Sequence, residues 1–275
     1  MVSFKFGSIF AFRCYGGKLS KESCMISYVV IPTYNEADNI QSLINKIFEF
    51  KPEFNIIIVD DNSPDGTGDM ADALSANDSR INVIHRAEKL GLGTAYVEGF
   101  KEALKLGAEL IFEMDADFSH DPKCLQQFID ALEDADVVIG SRYIDGVRVE
   151  GWRFRRLLLS KLANIYVSHI MVKPVWDFTA GYRCYRRNVL ETLDLDKIKS
   201  DGYAFQIEMT YLAFKNNFRV AEIPIIFRER EKGDSKISRN VVWEAFWLTL
   251  KCRAPIKEII NVFRKSYRKY IFMDK

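Results

Sequence analysis

ELIFEMDADFSH, from Glu109 to His120, carries an apolar run straight into two acids one residue apart, Asp115 and Asp117. Neighbouring carboxylates repel, so a positive charge belongs between or beside them. The apolar run reads as a buried strand with the acids at its end. On a regular strand, residues two apart point to one face. Two hard oxygen ligands presented together suit Mg2+ or Mn2+, ions that also take phosphate oxygens. The competing reading makes them solvated loop acids that cap the next helix.

Outward from this stretch the chain alternates in type. SYVVIPTY, FNIIIVDD, INVIHR and ADVVIGSRY read as strands, and EADNIQSLINKIFEF, GTGDMADALSAN, TAYVEGFKEALKLG and DPKCLQQFIDALED as helices. The alternation predicts an α/β fold with a mostly parallel central sheet and helices on both faces. Ligands of such sheets bind beyond the carboxyl ends of the strands. PTYNE, DDNSPDGT, KLGLGT and DADFSH each follow a strand, so they are expected to share one crevice. The second half is less regular. WRFRRLLLSKLANIYVSHIMV reads as an amphipathic basic helix, DFTAGYR as a turn, FQIEMTYLAFKNN as a helix and RVAEIPIIF as a strand. A charged loop, REREKGDSK, and two C-terminal helices follow.

Bulk properties exclude several classes. A chain of 275 residues, 48% of them hydrophobic, suffices for one substantial domain. Its net charge of +1 gives no sign of a nucleic-acid binder. Cys14, Cys24, Cys124, Cys184 and Cys252 are scattered, without the spacing of a zinc site or a disulfide framework. No apolar run reaches the ~18 residues of a membrane span. Residues 1–24 read as either a poorly ordered extension or a targeting segment whose short apolar part is broken by Lys5 and Arg13, and the folded chain is expected to begin near Met25.

Other strand ends offer further candidates. Asp61 closes IIIVDD, where an acid accepts hydrogen bonds from a base or a ribose. Asp65 and Thr67 read as turn stabilisers. Tyr34 can stack on a base, and Glu36 either bonds a base edge or caps the following helix. Gly91-Leu92-Gly93 lacks the third glycine of a dinucleotide loop, Tyr96 standing in its place; it reads as a helix start that allows close backbone approach. Arg142 follows a strand, and Arg228, Arg230, Lys232 and Lys236 crowd one loop around Gly233. These cations either clamp phosphate or form a solvated face with Glu229, Glu231 and Asp234. His120 lies next to the acid pair; His85 and His169 read as structural.

Eight ordered blocks carry a resemblance: VVIPTYNEADNI, IIIVDDNSPDGT, EKLGLGTAYVEGF, MDADFSHDP, VIGSRY, DFTAGYRCYRR, DGYAFQIEM and EREKGDSK. Over roughly residues 26–238 the chain resembles the dolichyl-phosphate mannosyltransferases, inverting enzymes of glycosyltransferase family 2 with a GT-A fold. The resemblance implies that Pro32, Tyr34, Glu36, Val59 and Asp61 line the guanine-nucleotide part of a GDP-mannose pocket. It implies that Asp115 and Asp117 hold the metal, with Ala116 against the nucleotide sugar. Ser119 stands where some members have a Gln metal ligand. Arg142 would meet the lipid phosphate, and Arg230 and Lys236 the donor diphosphate from a loop that closes over it. Asp177 and Gln206 lie in family blocks without a firm role.

The implied acceptor is dolichyl or another polyprenyl phosphate, at the cytoplasmic face of a membrane (endoplasmic reticulum in a eukaryote, plasma membrane in a prokaryote). A catalytic domain over residues 25–238 and amphipathic helices over 239–275 are expected. The basic helix after Gly151 and the C-terminal IKEIINVFRKSYRKYIF either touch the membrane surface or pack on the domain. Short eukaryotic members rely on small membrane subunits. The nearest rival reading is a UDP-glucose-dependent polyprenyl-phosphate glucosyltransferase. More distant ones are a HAD-type phosphatase, which also carries Asp-x-Asp after a strand, and a non-catalytic scaffold subunit.

Overall fold

The computed structural model describes residues 25–229, apart from 172 and 199. Nine strands and seven α-helices alternate along them. Strands β1 (Ser27–Thr33), β2 (Asn55–Asp60) and β3 (Ile81–His85) are separated by helices α1 (Ile40–Phe50) and α2 (Thr67–Asn77). Helix α3 (Leu92–Lys105) leads to β4 (Leu110–Glu113), and α4 (Leu125–Ala131) to β5 (Val137–Ser141). The second half adds β6 (Val149–Glu150), α5 (Phe154–Met171), β7 (Arg183–Arg186), α6 (Arg187–Thr192), α7 (Gly202–Lys215), β8 (Val220–Pro224) and β9 (Phe227–Arg228).

Seven strands form one sheet in the order β3-β2-β1-β4-β7-β5-β8, with only β7 antiparallel to its neighbours. β1 shows why the sheet is covered on both faces. Tyr28 and Val30 join one core cluster with α3 and α7, while Val29 and Ile31 join the other with α1 and α4. Successive side chains of a strand point to opposite faces, so a continuous apolar run satisfies both layers.

From β1 the chain builds outward through β2 and β3, then α3 carries it back across to β4 on the other side of β1. That reversal opens a crevice beyond the carboxyl ends of β1 and β4. Pro32 to Tyr34 and Asp115 to Asp117 are the residues that emerge there.

DFTAGYR turns at Phe178 and Thr179, as expected, and its last residue opens β7, a strand not anticipated from the sequence, inserted between β4 and β5. Its Arg183 is fully buried and donates to the carbonyls of Ala180 and Phe178 and to Thr210 Oγ1, each at 2.8 Å. The basic helix α5 also presents its apolar side differently from a core helix. Asn164, Val167 and Met171 face inward, whereas Phe154, Leu158, Leu159, Leu162 and Ile165 are exposed. The predicted N-terminal extension and the C-terminal helices lie outside the described residues.

Candidate active site

One cavity of about 410 Å³ runs beyond the ends of β1, β2, β4 and β5. Asp115 and Asp117 line its middle, as expected, but not as strand residues. β4 ends at Glu113, so the spacing of a regular strand does not set their direction. A turn does: Phe118 takes φ 61°, a conformation sparsely used by residues with a Cβ. The turn brings the Ser119 amide to within 3.0 Å of Asp117 Oδ1, to which it donates.

Asp115 is held from two sides. The Tyr96 hydroxyl donates to its Oδ1 at 3.0 Å. Its own amide donates to His120 Nδ1, also at 3.0 Å. That bond leaves the imidazole proton on Nε2, which lies 3.8 Å from Asp115 Oδ2. Burial lowers the His120 pKa, so the ring is neutral.

The donor set suits a hard cation. Ser119 is 2% exposed, and its hydroxyl oxygen has no hydrogen-bond partner among the described residues. A buried hydroxyl left unpaired is costly, and a ligand in the cavity would relieve it. Two carboxylates and one hydroxyl fit Mg2+ or Mn2+. Among the described residues no three or more His, Cys, Asp or Glu side chains are grouped so as to hold a metal ion by themselves. An ion held here would need further ligands, such as the oxygens of a bound phosphate.

One end of the cavity is lined by Pro32, Tyr34, Glu36, Asp61 and Lys89. Asp61 is 6% exposed, with Arg86 Nη1 2.8 Å from its Oδ1. Burial pushes the Asp61 carboxyl pKa up, against the opposing pull of Arg86 and Lys89. Arg86 also donates to the Gly91 carbonyl and to Thr94 Oγ1, tying this acid to the KLGLGT loop. The Lys89 ammonium sits 3.7 Å from the centre of the Tyr34 ring. Glu36 lines the cavity and accepts from the Asn39 side-chain amide just before α1, a bond between side chains and not to a helix N–H. Val59 is different: it is fully buried in the core, and its side chain does not line the cavity. Asp65 stabilises its turn by accepting from Thr67 and the Ala37 amide.

The other end is cationic. Arg142 Nε and Nη2 donate to the two oxygens of buried Asp177, both at 2.7 Å. Its guanidinium faces the cavity between Trp152 and Phe227, at 5.3 and 5.6 Å from their ring centres. Arg156 stands 4.2 Å over the Trp152 ring and pairs with Glu229. Arg156 Nε and Trp152 Nε1 are both buried donors without a hydrogen-bond partner among the described residues. Sequence reasoning treated both residues only as parts of a basic helix and missed Arg86 as well; an arginine at a strand end was the one available signal. Gln206 also lines the cavity, and its Nε2 donates to Glu113 Oε2 at 2.7 Å. Arg228 pairs with Glu150 on the surface. Phe227 and Glu229 bring the chain to the cavity rim, while Arg230, Lys232 and Lys236 fall outside the described residues.

Residues 28–194 match the family described as Glycosyl transferase family 2. The chain is 48% identical over 221 residues to polyprenol monophosphomannose synthase of Mycolicibacterium smegmatis, spanning 80% of this chain and 83% of that one. It is 43% identical over 216 residues to undecaprenyl-phosphate mannosyltransferase of Micrococcus luteus, spanning 78% and 89%. Its fold is similar to that of glucosyl-3-phosphoglycerate synthase from Mycobacterium tuberculosis in complex with phosphoglyceric acid, with a TM-score of 0.64 at 17% identity over 84% of this chain and 81% of that one. The same enzyme in complex with Mn2+, UDP-glucose and phosphoglyceric acid gives 0.61 at 18%, over 83% and 81%. The parallel sheet, the acid pair at its switch point and the sequence match agree: the chain belongs to glycosyl transferase family 2 and has the GT-A fold.

Proposed function

We propose that this protein transfers mannose from GDP-mannose to the phosphate of dolichol or another polyprenol, inverting the anomeric carbon, at a membrane surface. The observation that carries the reading is the layout of one cavity. An aromatic and acidic end lies on one side of Asp115, Asp117 and Ser119, and a cationic end lies on the other. Such a cavity seats a nucleotide, a diphosphate and a second phosphate in line. The mannosyltransferase names of the relatives at 48% and 43% identity favour mannose over glucose as the transferred sugar.

The nucleotide would lie at Pro32, Tyr34, Glu36 and Asp61, with Ala116 against the sugar. Val59 would contribute through its main chain. Asp115, Asp117 and Ser119 would hold Mg2+ or Mn2+, which neutralises charge on the departing diphosphate when bound. Arg230 and Lys236, assigned by the family resemblance, would bind that diphosphate from the loop entered at Glu229. Arg142, braced by Asp177, and Arg156 with Trp152 would take the acceptor phosphate. That phosphate is largely dianionic at neutral pH, its second pKa being about 6, so it attacks without a strong general base. The attack displaces GDP from the opposite face of the anomeric carbon.

Among the described residues no helix is long and apolar enough to cross a membrane. The exposed apolar face of α5 is flanked by Arg153, Arg155 and Lys161, a composition suited to an anionic lipid surface. We place the protein peripherally, on the cytoplasmic face; small membrane subunits are a further expectation of the resemblance.

The test measures transfer of labelled sugar to a short polyprenyl phosphate from GDP-mannose and from UDP-glucose, with Mg2+, Mn2+ or EDTA. Metal-dependent mannolipid from GDP-mannose alone, lost in Asp117→Ala, is the expected result. Product from UDP-glucose alone would replace the donor.

A further inference from the structure

The KLGLGT segment and the helix it opens have no place in the chemistry above, yet Tyr96 of that helix reaches the acid pair. We infer that Tyr96 is a positioning residue: its hydroxyl fixes the Asp115 carboxylate in the orientation that receives the divalent cation. This rests on the metal-site reading of Asp115 and Asp117.

Three observations carry it. The first is the contact itself, Tyr96 Oη to Asp115 Oδ1 at 3.0 Å, made by a side chain with no exposure at all. A buried tyrosine hydroxyl needs an acceptor, and here that acceptor is a charged one. The second is the rigidity of the donor. The Tyr96 ring is stacked between Phe100, at 5.9 Å, and Phe205, at 6.0 Å and only 8° from parallel. It is clamped by its own helix on one side and by α7 on the other, so the hydroxyl has little freedom.

The third is how α3 comes close enough. A Cβ on Gly93 would stand 2.4 Å from the Ser200 carbonyl and 3.1 Å from the Phe205 ring. The Gly93 amide instead donates to Asp201 Oδ1 at 2.7 Å, a bond spanning 108 residues. The glycines of this segment thus seat the first turn of α3 against the chain before α7, and Tyr96, one turn further on, meets Asp115. The close-approach reading of Gly91-Leu92-Gly93 acquires a purpose: the glycines serve the tyrosine that replaces a third glycine.

Outer partners of metal-binding carboxylates orient them, and their loss typically weakens metal binding about 10- to 100-fold. Asp115 is also steadied by His120, which accepts its amide at Nδ1 and brings Nε2 to 3.8 Å from its Oδ2, on the side away from the Tyr96 bond to Oδ1.

The experiment titrates Mn2+, followed by its EPR signal in the presence of GDP, into wild type, Tyr96→Phe, Asp117→Ala and Tyr182→Phe. Tyr182→Phe is the matched control, because its buried hydroxyl donates to the Asp121 carbonyl and not to a carboxylate. The expected result is Mn2+ affinity at least tenfold weaker in Tyr96→Phe and unchanged in Tyr182→Phe. Thermal unfolding of the chelated Tyr96→Phe protein should shift by roughly 5 °C or less, because the rings remain packed. Tyr96→Phe affinity within twofold of wild type overturns the inference while leaving the metal-site reading intact. Equal weakening in both Tyr variants also overturns it, since general loosening would then be the cause. Wild type that binds no Mn2+, or Asp117→Ala that binds it normally, overturns the metal-site reading and this inference together.

Discussion

Arg142 and Asp177 form a two-pronged ion pair, Nε to Oδ2 and Nη2 to Oδ1, with both residues buried. Asp177 also receives the Arg142 amide, and its own amide donates to Glu222 Oε1. The carboxylate therefore holds the arginine by main chain and side chain at once. Removing one partner of a buried pair leaves an unpaired charge, at a typical cost of 3–5 kcal/mol. Asp177→Ala is expected to lose stability of about that size in urea unfolding. The surviving protein should show a raised KM for the lipid phosphate, with GDP binding little changed.

Arg156 bears on the acceptor in a different way. Its Nε is a buried donor with no hydrogen-bond partner among the described residues, while its Nη1 pairs with Glu229 and its guanidinium lies over the Trp152 ring. Arg156→Lys keeps the charge but loses the planar fork. An increase of about tenfold in KM for polyprenyl phosphate is expected, with the KM for GDP-mannose within twofold of wild type. Equal KM values for the acceptor would remove Arg156 from the phosphate site.

Glu113 gives a pH dependence of stability. Burial raises its carboxyl pKa from the ordinary 4.5 to about 7, although Arg183, Gln206 and Tyr185 pull the other way. A carboxyl raised in the folded state contributes stability below pH 4.5 and loses it as pH climbs through 7. Unfolding of the chelated wild type should therefore become easier between about pH 5 and pH 8, by on the order of 3 kcal/mol. Glu113→Gln should flatten that slope, and an unchanged slope would assign it to another group.

Gly93 and Gly99 both pack without a Cβ, but against different neighbours. At Gly99 the obstacles are the side chains of Val30 and Val59; at Gly93 the nearest is a backbone atom, the Ser200 carbonyl oxygen, held by the chain before α7. Gly93→Ala is expected to be the more damaging by about 1–2 kcal/mol, as overpacking against backbone leaves no cheap relaxation. Thermal unfolding of the two variants side by side decides this.

The chain alone determined the parallel strands, the order of the strand-end clusters and the candidate acids. Apolar runs buried on both sheet faces need no distant partner to be recognised, and neither do polar clusters after each run. β7 was different, because a four-residue strand with an arginine at each end has no apolar period. Its place between β4 and β5 depends on carbonyls and a threonine that accept from Arg183. The same holds within the site. Asp115 and Asp117 could be named from their spacing, but Tyr96, Arg86, Arg156 and Trp152 could not. Their roles rest on contacts between residues far apart in the chain, such as Tyr96 with Asp115 and Arg156 with Glu229. Local pattern determines which segments become strands and helices; only the packed tertiary structure decides which buried donor meets which carboxylate.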